Sequence, residues 1–364
     1  MPNSIGILTY HNAINYGALL QAYALSTRLN AMGADCRLID YRSPAVERQY
    51  RLRAPWHCSS LRNFVAHNLN CLCRLRRRRG FAAFAARLPR SAHYRREQLP
   101  AASAAYDRLI TGSDQVFNPS CNADDPTYFL DFAKQGQKVA YAASVGSCQS
   151  FAAWGEEPLQ RLADFSAISL READAAAYLS GALSRECLHA VDPVWLLSPA
   201  EWAAVAEPPR RKEPYILVYN LMDYPYMRDY VRSLSAKTGL PVISINRWFV
   251  GDRLYRFTER RSNVSPAAFL GYIRGAACVV TDSFHGTSFS MLFGRPFYAA
   301  LNTKAENTNG RLLSLLNTAG IAERAFSADC LPPTEIKEID YAAVHANMRE
   351  PIERSLDFLK VNCL

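Results

Sequence analysis

Short uninterrupted apolar runs alternate along this chain with longer stretches whose apolar residues recur at helical spacing. The run "IGILTY" passes through the polar loop "HNAINYG" into "ALLQAYALSTRLNAMG", a helical pattern that stops on Gly33, and "CRLIDYR" then reads as a strand. Strand, helix, strand in this order is a βαβ unit, parallel and right-handed when its strands share a sheet. The same grammar continues in "DRLITGSDQVFN", "KVAYAASVGS" and "SAISLRE", followed by the helical "ADAAAYLSGA" and by "CLHAVDPVWLL". Paired prolines and charges interrupt it at "AEPPRRKEP". It restarts with "YILVYNL", the helical "YMRDYVRSLSAKTG", "LPVISIN", "SPAAFLGYIRGA", "ACVVTD", "RPFYAAL" and "GRLLSLLNTAG".

Such alternation defines an α/β class, and the break divides it in two. Residues 1–205 are expected to form an N-terminal Rossmann-like domain carrying a basic helical insert at about 43–100, with 206–213 as linker. Residues 214–330 form a C-terminal Rossmann-like domain on this reading, and 331–364 a helical tail that packs back on the first domain. Two such domains face each other across a cleft at the carboxyl ends of their strands, where open sheets bind ligands. No GxGxxG or GxxxxGK[ST] pattern is present, which argues against a dinucleotide or P-loop site.

Composition adds capacity and one asymmetry. With 364 residues, 49% hydrophobic and 21% charged, the chain can bury two cores. No signal peptide opens it and no segment approaches the roughly 18 apolar residues of a membrane span, so a cytoplasmic protein is expected. Ten cysteines are scattered without a CxxC pair; buried or idle thiols and a metal-independent chemistry are the expectation. The formal charge of +9 is concentrated: between Arg48 and Arg96 stand thirteen arginines, no lysine and no acid. The densest run, Arg74 and Arg76 to Arg79, reads either as a solvated helical face or as a contact for anionic lipid headgroups or a lipid-linked diphosphate. Nucleic acid is not expected, since no recognition motif or interleaved aromatics accompany the run.

Four loops at predicted strand ends pair a flexible residue with a polar one: Asn15-Tyr16-Gly17, Gly112-Ser113-Asp114, Arg171-Glu172, and Ser283 through Thr287. His285 is either a core histidine bonded to a carbonyl or a proton donor. Ser283, Gly286 and Thr287 around it suit an anion approaching the start of a helix. Arg171 is a carboxylate or phosphate fork, or else a surface partner of Glu172 or Asp174. Asp114 and Asn15 are equally readable as turn and helix caps.

In order, "YHNAINYGALLQAYAL", "ITGSDQVFN", "YAASVGS", "SLREADAAAYL", "VDPVWLL" and "TDSFHGTSFSMLFGRPF" resemble the polysaccharide pyruvyltransferase family, from about Ile5 to Leu316. The resemblance implies a GT-B-like fold of two Rossmann-like domains. It implies transfer of a pyruvyl group from phosphoenolpyruvate, with no cofactor, to hydroxyls of a cell-surface glycan or its lipid-linked precursor, forming a ketal; peripheral contact with an anionic membrane is the expectation from the arginine run, not from the resemblance. By position, His285 matches the family's general acid and Arg171 its donor-binding arginine; Asn15, Gly17, Asp114, Ser283, Gly286 and Thr287 fall in the shared blocks. Better-studied members of the family carry an arginine where this chain has Phe284, and Arg311 is a candidate replacement for that charge. A nucleotide-sugar glycosyltransferase of the same architecture and a non-catalytic glycan- or membrane-binding relative are the alternatives.

Overall fold

A computed structural model describes residues 2–44, 54–73, 75–122, 124–209, 211–222, 224–246, 257–303 and 308–364. Arg48, Arg51, Arg53 and Arg74 of the basic stretch lie outside them. Among the described residues thirteen strands form two parallel sheets.

The first sheet runs in the order β3-β2-β1-β4-β5-β6-β7. Its strands are β1 (Ser4–Leu8), β2 (Asp35–Tyr41), β3 (Arg90–Tyr94), β4 (Arg108–Thr111), β5 (Lys138–Ala143), β6 (Ala167–Leu170) and β7 (Leu188–His189). The second has the order β10-β9-β8-β11-β12-β13. It comprises β8 (Ile216–Asn220), β9 (Val242–Asn246), β10 (Glu259–Arg261), β11 (Cys278–Thr281), β12 (Phe297–Ala300) and β13 (Ala325–Phe326). Central strands β5, β8 and β11 are buried throughout, as apolar runs covered on both faces must be. The expected two-sheet α/β architecture is therefore present.

The helices that shape the site are α1 (Tyr16–Ala31), α2 (Leu61–Cys73), α3 (Leu75–Ala85), α4 (Ala173–Ala182), α5 (Pro266–Gly275), α6 (Phe284–Leu292), α7 (Gly310–Ala319) and α8 (Tyr341–Cys363). α1 ties the two halves together. Its Tyr16 ring stacks on Phe269 of α5 at 4.3 Å, and the Tyr16 hydroxyl donates to the Val264 carbonyl at 2.9 Å. α8 spans both halves: Asn347 donates to the Ala319 carbonyl at 3.1 Å, while Ser355 Oγ accepts from the Val191 N–H at 3.0 Å.

Two features of the basic insert differ from the sequence reading. It is not helical throughout, because Arg90–Tyr94 is the edge strand β3, paired with β2. Its polar, half-exposed residues suit an edge, where one side of the backbone meets water. Nor are its arginines one solvated face. Arg77 is buried, donates through Nε to the Ser262 carbonyl at 2.8 Å and lies 5.6 Å from the Tyr16 ring centre, so it braces α3 against the second half. Arg76, Arg78 and Arg79 are exposed.

Candidate active site

Parallel strands deliver the residues that follow them to one edge of a sheet. After β4 come Ser113 and Asp114, after β6 Arg171 and Glu172, and shortly after β7 Asp192. The second sheet brings Ser283 and His285 at the start of α6, directly after β11.

Ser113, Arg171 and His285 converge on Asp192, which is buried. Its Oδ2 accepts from Arg171 Nη1 at 2.7 Å and from Ser113 Oγ at 3.1 Å, and lies 3.4 Å from His285 Nε2. The last is a close approach rather than a well-directed hydrogen bond. Oδ1 accepts from the Val194 N–H at 3.1 Å, fixing the carboxylate against the short turn that Pro193 begins. Burial alone would favour the neutral acid, but His285 and Arg171 outweigh it and hold the Asp192 carboxyl well below the usual carboxylate range. Asp192 is thus a buried anion facing the imidazole of His285.

Arg171 is not a surface partner of Glu172 or Asp174; it is buried, and its guanidinium lies 4.4 Å from the Phe284 ring centre. Burial opposes its charge, yet Asp192, Glu172 and Asp114 hold its pKa above the ordinary value. Its Nε and Nη2 have no hydrogen-bond partner among the described residues, although Asp114 Oδ1 stands 3.9 Å from Nη2. Phe284 therefore supplies an aromatic face to a cation already in place, where a second arginine would have repelled it.

Glu172 is buried beside Arg171 and accepts from Ser144 Oγ. Burial raises its pKa, against the pull of Arg171, Ser144 and Arg311. Arg311, at the start of α7, belongs to the same cluster. Burial and the Arg171 cation weigh against its charge, Glu172 and Asp114 favour it, and its Nε has no partner among the described residues.

Gly17 sets the position of His285. A Cβ on Gly17 would lie 2.0 Å from His285 Nδ1, so only glycine lets α1 pass the imidazole. Gly286, the residue after His285, is also tightly packed: a Cβ there would sit 2.6 Å from Thr281 Oγ1.

The remaining candidates divide. Asn15 caps α1, its Oδ1 accepting from the Gly17 and Ala18 N–H groups at 3.0 and 3.4 Å. Ser283 caps α6, accepting from the Gly286 N–H at 3.2 Å. Asp114 accepts from the Gln115 N–H at 2.9 Å as a turn residue does, and still borders Arg171. Thr287 is fully buried, with an Oγ1 that has no partner among the described residues. The sequence reading missed Asp192 and Ser113 as members of the site, although both stand in blocks it singled out. An acid before proline, just beyond a strand, was the available signal for Asp192.

The sequence matches the family model "Polysaccharide pyruvyl transferase" over residues 15–303. The chain belongs to the polysaccharide pyruvyl transferase family. The matched span holds Gly17, Ser113, Arg171, Asp192 and His285 and stops short of Arg311. As a family member the protein is a transferase acting in polysaccharide pyruvylation. No curated protein is recognisably similar in sequence. Among solved structures, UDP-GlcNAc 2-epimerase from Neisseria meningitidis bound to UDP-GlcNAc is similar, with 9% identity and a TM-score of 0.50, over 99% of this chain and 93% of that one. S. aureus MnaA with UDP has the same identity and TM-score, over 99% of this chain and 91% of its own. At such identity the likeness is one of fold, and that fold is GT-B.

Proposed function

We propose that this pyruvyl transferase takes phosphoenolpyruvate as donor and forms a pyruvate ketal on two hydroxyls of a saccharide. The observation that carries the reading is the His285–Asp192 pair at the start of α6, beside two guanidiniums that retain unpartnered nitrogens. Asp192 stabilises the imidazolium, and His285 passes a proton to the methylene carbon of the donor. The resulting oxocarbenium-like carbon is attacked by an acceptor hydroxyl, which loses its proton. Phosphate leaves with the C–O bond electrons, and the second hydroxyl adds at the same carbon to close the ketal. One donor and one diol thus give one ketal and one hydrogen phosphate.

Arg311, less deeply buried than Arg171, meets the donor's anionic groups, and Arg171 adds charge from beneath while holding Asp192. Phosphoenolpyruvate at 100-fold its dissociation constant should stabilise the folded protein by about 2.7 kcal/mol, visible as a raised unfolding temperature. Phosphate should be released when a saccharide acceptor is added. Stabilisation by UDP sugars with none by phosphoenolpyruvate would overturn the reading in favour of glycosyl transfer.

The same reading includes a peripheral contact with anionic lipid through α2. Leu61, Val65, Leu69 and Leu72 recur at intervals of four, four and three and are exposed, Leu61 by 74%, within the arginine-rich, acid-free stretch. A helix with an exposed apolar stripe and basic neighbours is suited to the headgroup boundary. No helix among the described residues is long and apolar enough to cross a membrane. The protein should sediment with phosphatidylglycerol vesicles at low salt, and Leu61→Glu with Leu69→Glu should abolish this. A wild type that stays in the supernatant would sever α2 from any membrane role.

A further inference from the structure

A cavity of about 520 Å³ opens at the carboxyl ends of β1 and β2, apart from the Asp192 cluster. Its walls come from the β1–α1 loop, from the end of β2, and from α3. The β1–α1 loop connects it to the reaction centre. Thr9 to Ile14 line the cavity, Asn15 caps α1, and Gly17 lies against His285. Thr9 Oγ1 also donates to the Ser113 carbonyl at 3.0 Å, and Ser113 Oγ donates to Asp192. A ligand in the cavity would therefore be one loop away from the imidazole.

Its chemistry is distinctive. Arg42, Arg78, Arg79 and Arg90 line it. The acid beside Arg42 is Asp40, which is already engaged: Oδ1 lies 3.2 Å from His11 Nε2, and Arg42 donates to Oδ1 at 3.0 Å and to Oδ2 at 3.1 Å. Burial resists ionisation of Asp40, but His11 and Arg42 overcome it and hold the carboxyl well below its ordinary range. Arg42 is thereby matched, whereas Arg78, Arg79 and Arg90 have no ion pair among the described residues. Tyr10, Tyr41 and Tyr128 also line the cavity, with the Tyr10 and Tyr128 rings 4.8 Å apart. The Tyr10 hydroxyl donates to the Gln115 carbonyl and the Tyr41 hydroxyl to Asp125, so these two offer the cavity ring surface rather than hydroxyls.

Guanidinium forks match phosphate oxygens, and aromatic surface packs against the C–H face of a pyranose. We propose that this cavity is the acceptor subsite and recognises a phosphate or diphosphate joined to the saccharide. The inference rests on the pyruvyl-transfer reading for its link to catalysis, but phosphate recognition is measurable without turnover.

Calorimetric titration of the whole chain with inorganic pyrophosphate, glucose 1-phosphate and glucose tests it. The two phosphorylated probes should bind, and unphosphorylated glucose should bind at least about 10-fold more weakly. Arg78→Gln with Arg79→Gln should weaken pyrophosphate binding at least about 10-fold at fixed salt. The charge-matched control, Arg349→Gln with Arg354→Gln on α8, which does not line the cavity, should leave it unchanged. Equal losses in both double variants, or pyrophosphate affinity indifferent to Arg78 and Arg79, would overturn the proposal. So would a double variant that loses binding to phosphatidylglycerol vesicles while its pyrophosphate affinity is intact, since the arginines would then serve lipid headgroups. If pyrophosphate binding depends on these arginines and phosphoenolpyruvate proves not to be a donor, the phosphate site stands and the donor reading falls. If phosphoenolpyruvate-dependent transfer proceeds and pyrophosphate ignores these arginines, the cavity assignment falls alone.

Discussion

His285→Ala is expected to lower phosphoenolpyruvate-dependent phosphate release by about 10²- to 10⁴-fold, the range typical of a lost general acid. The variant should fold, because the imidazole contributes little to the core: it abuts the backbone of Gly17 and the carboxylate of Asp192. The Michaelis constant for the donor should change far less than turnover, since the interaction removed is made chiefly as the proton moves. His285→Gln separates the roles further. Its amide can still donate toward Asp192 but cannot deliver a proton, so stability should recover while turnover does not. Full activity in a folded His285→Ala protein would remove the proton-donor assignment. Unfolding of both variants would mean that His285 is a core residue.

How far this site was legible in the sequence depends on the range of the interactions involved. The βαβ opening, the strand runs ending at Thr111, Leu170 and Thr281, and the cap at Asn15 are local, and periodicity with capping chemistry reveals them. Gly17 fell within a flagged loop, but that it yields space to an imidazole 268 positions later is a fact of packing between sheets. Asp192 had a local signal in the acid before Pro193, but its place at the centre of the cluster was illegible for the same reason. Its partners Ser113, Arg171 and His285 come from the ends of three different strands, and no spacing in the chain joins them. Arg77 shows the converse error. A run of arginines looks uniform in sequence, and only the approach of α3 to Ser262 turns one of them inward. Phe284 looked like a missing charge, whereas in three dimensions it is the ring beneath Arg171.

Asp192→Asn should be the most destabilising conservative change in the site. The carboxylate sits among Arg171, Ser113 and His285 with no solvent access, and removing its charge leaves the Arg171 guanidinium buried without its principal anion. Loss of one partner from a buried ion pair typically costs about 3–5 kcal/mol. Adding Arg171→Met should return part of that loss, because the uncompensated cation is then gone as well. The pH dependence has a definite sign. Since the folded state depresses the Asp192 pKa, its contribution is present above the unfolded value of about 3.9 and is lost as pH falls through the lower folded value. Denaturant unfolding of wild type and Asp192→Asn should therefore differ most above about pH 5 and converge as the solution is acidified below about pH 4. A gap that stays constant with pH would trace the damage to packing rather than charge. An asparagine variant as stable as wild type would show that Arg171 finds its counter-charge elsewhere, in Glu172 or Asp114, and that Asp192 is not the anion around which the two sheets assemble the site.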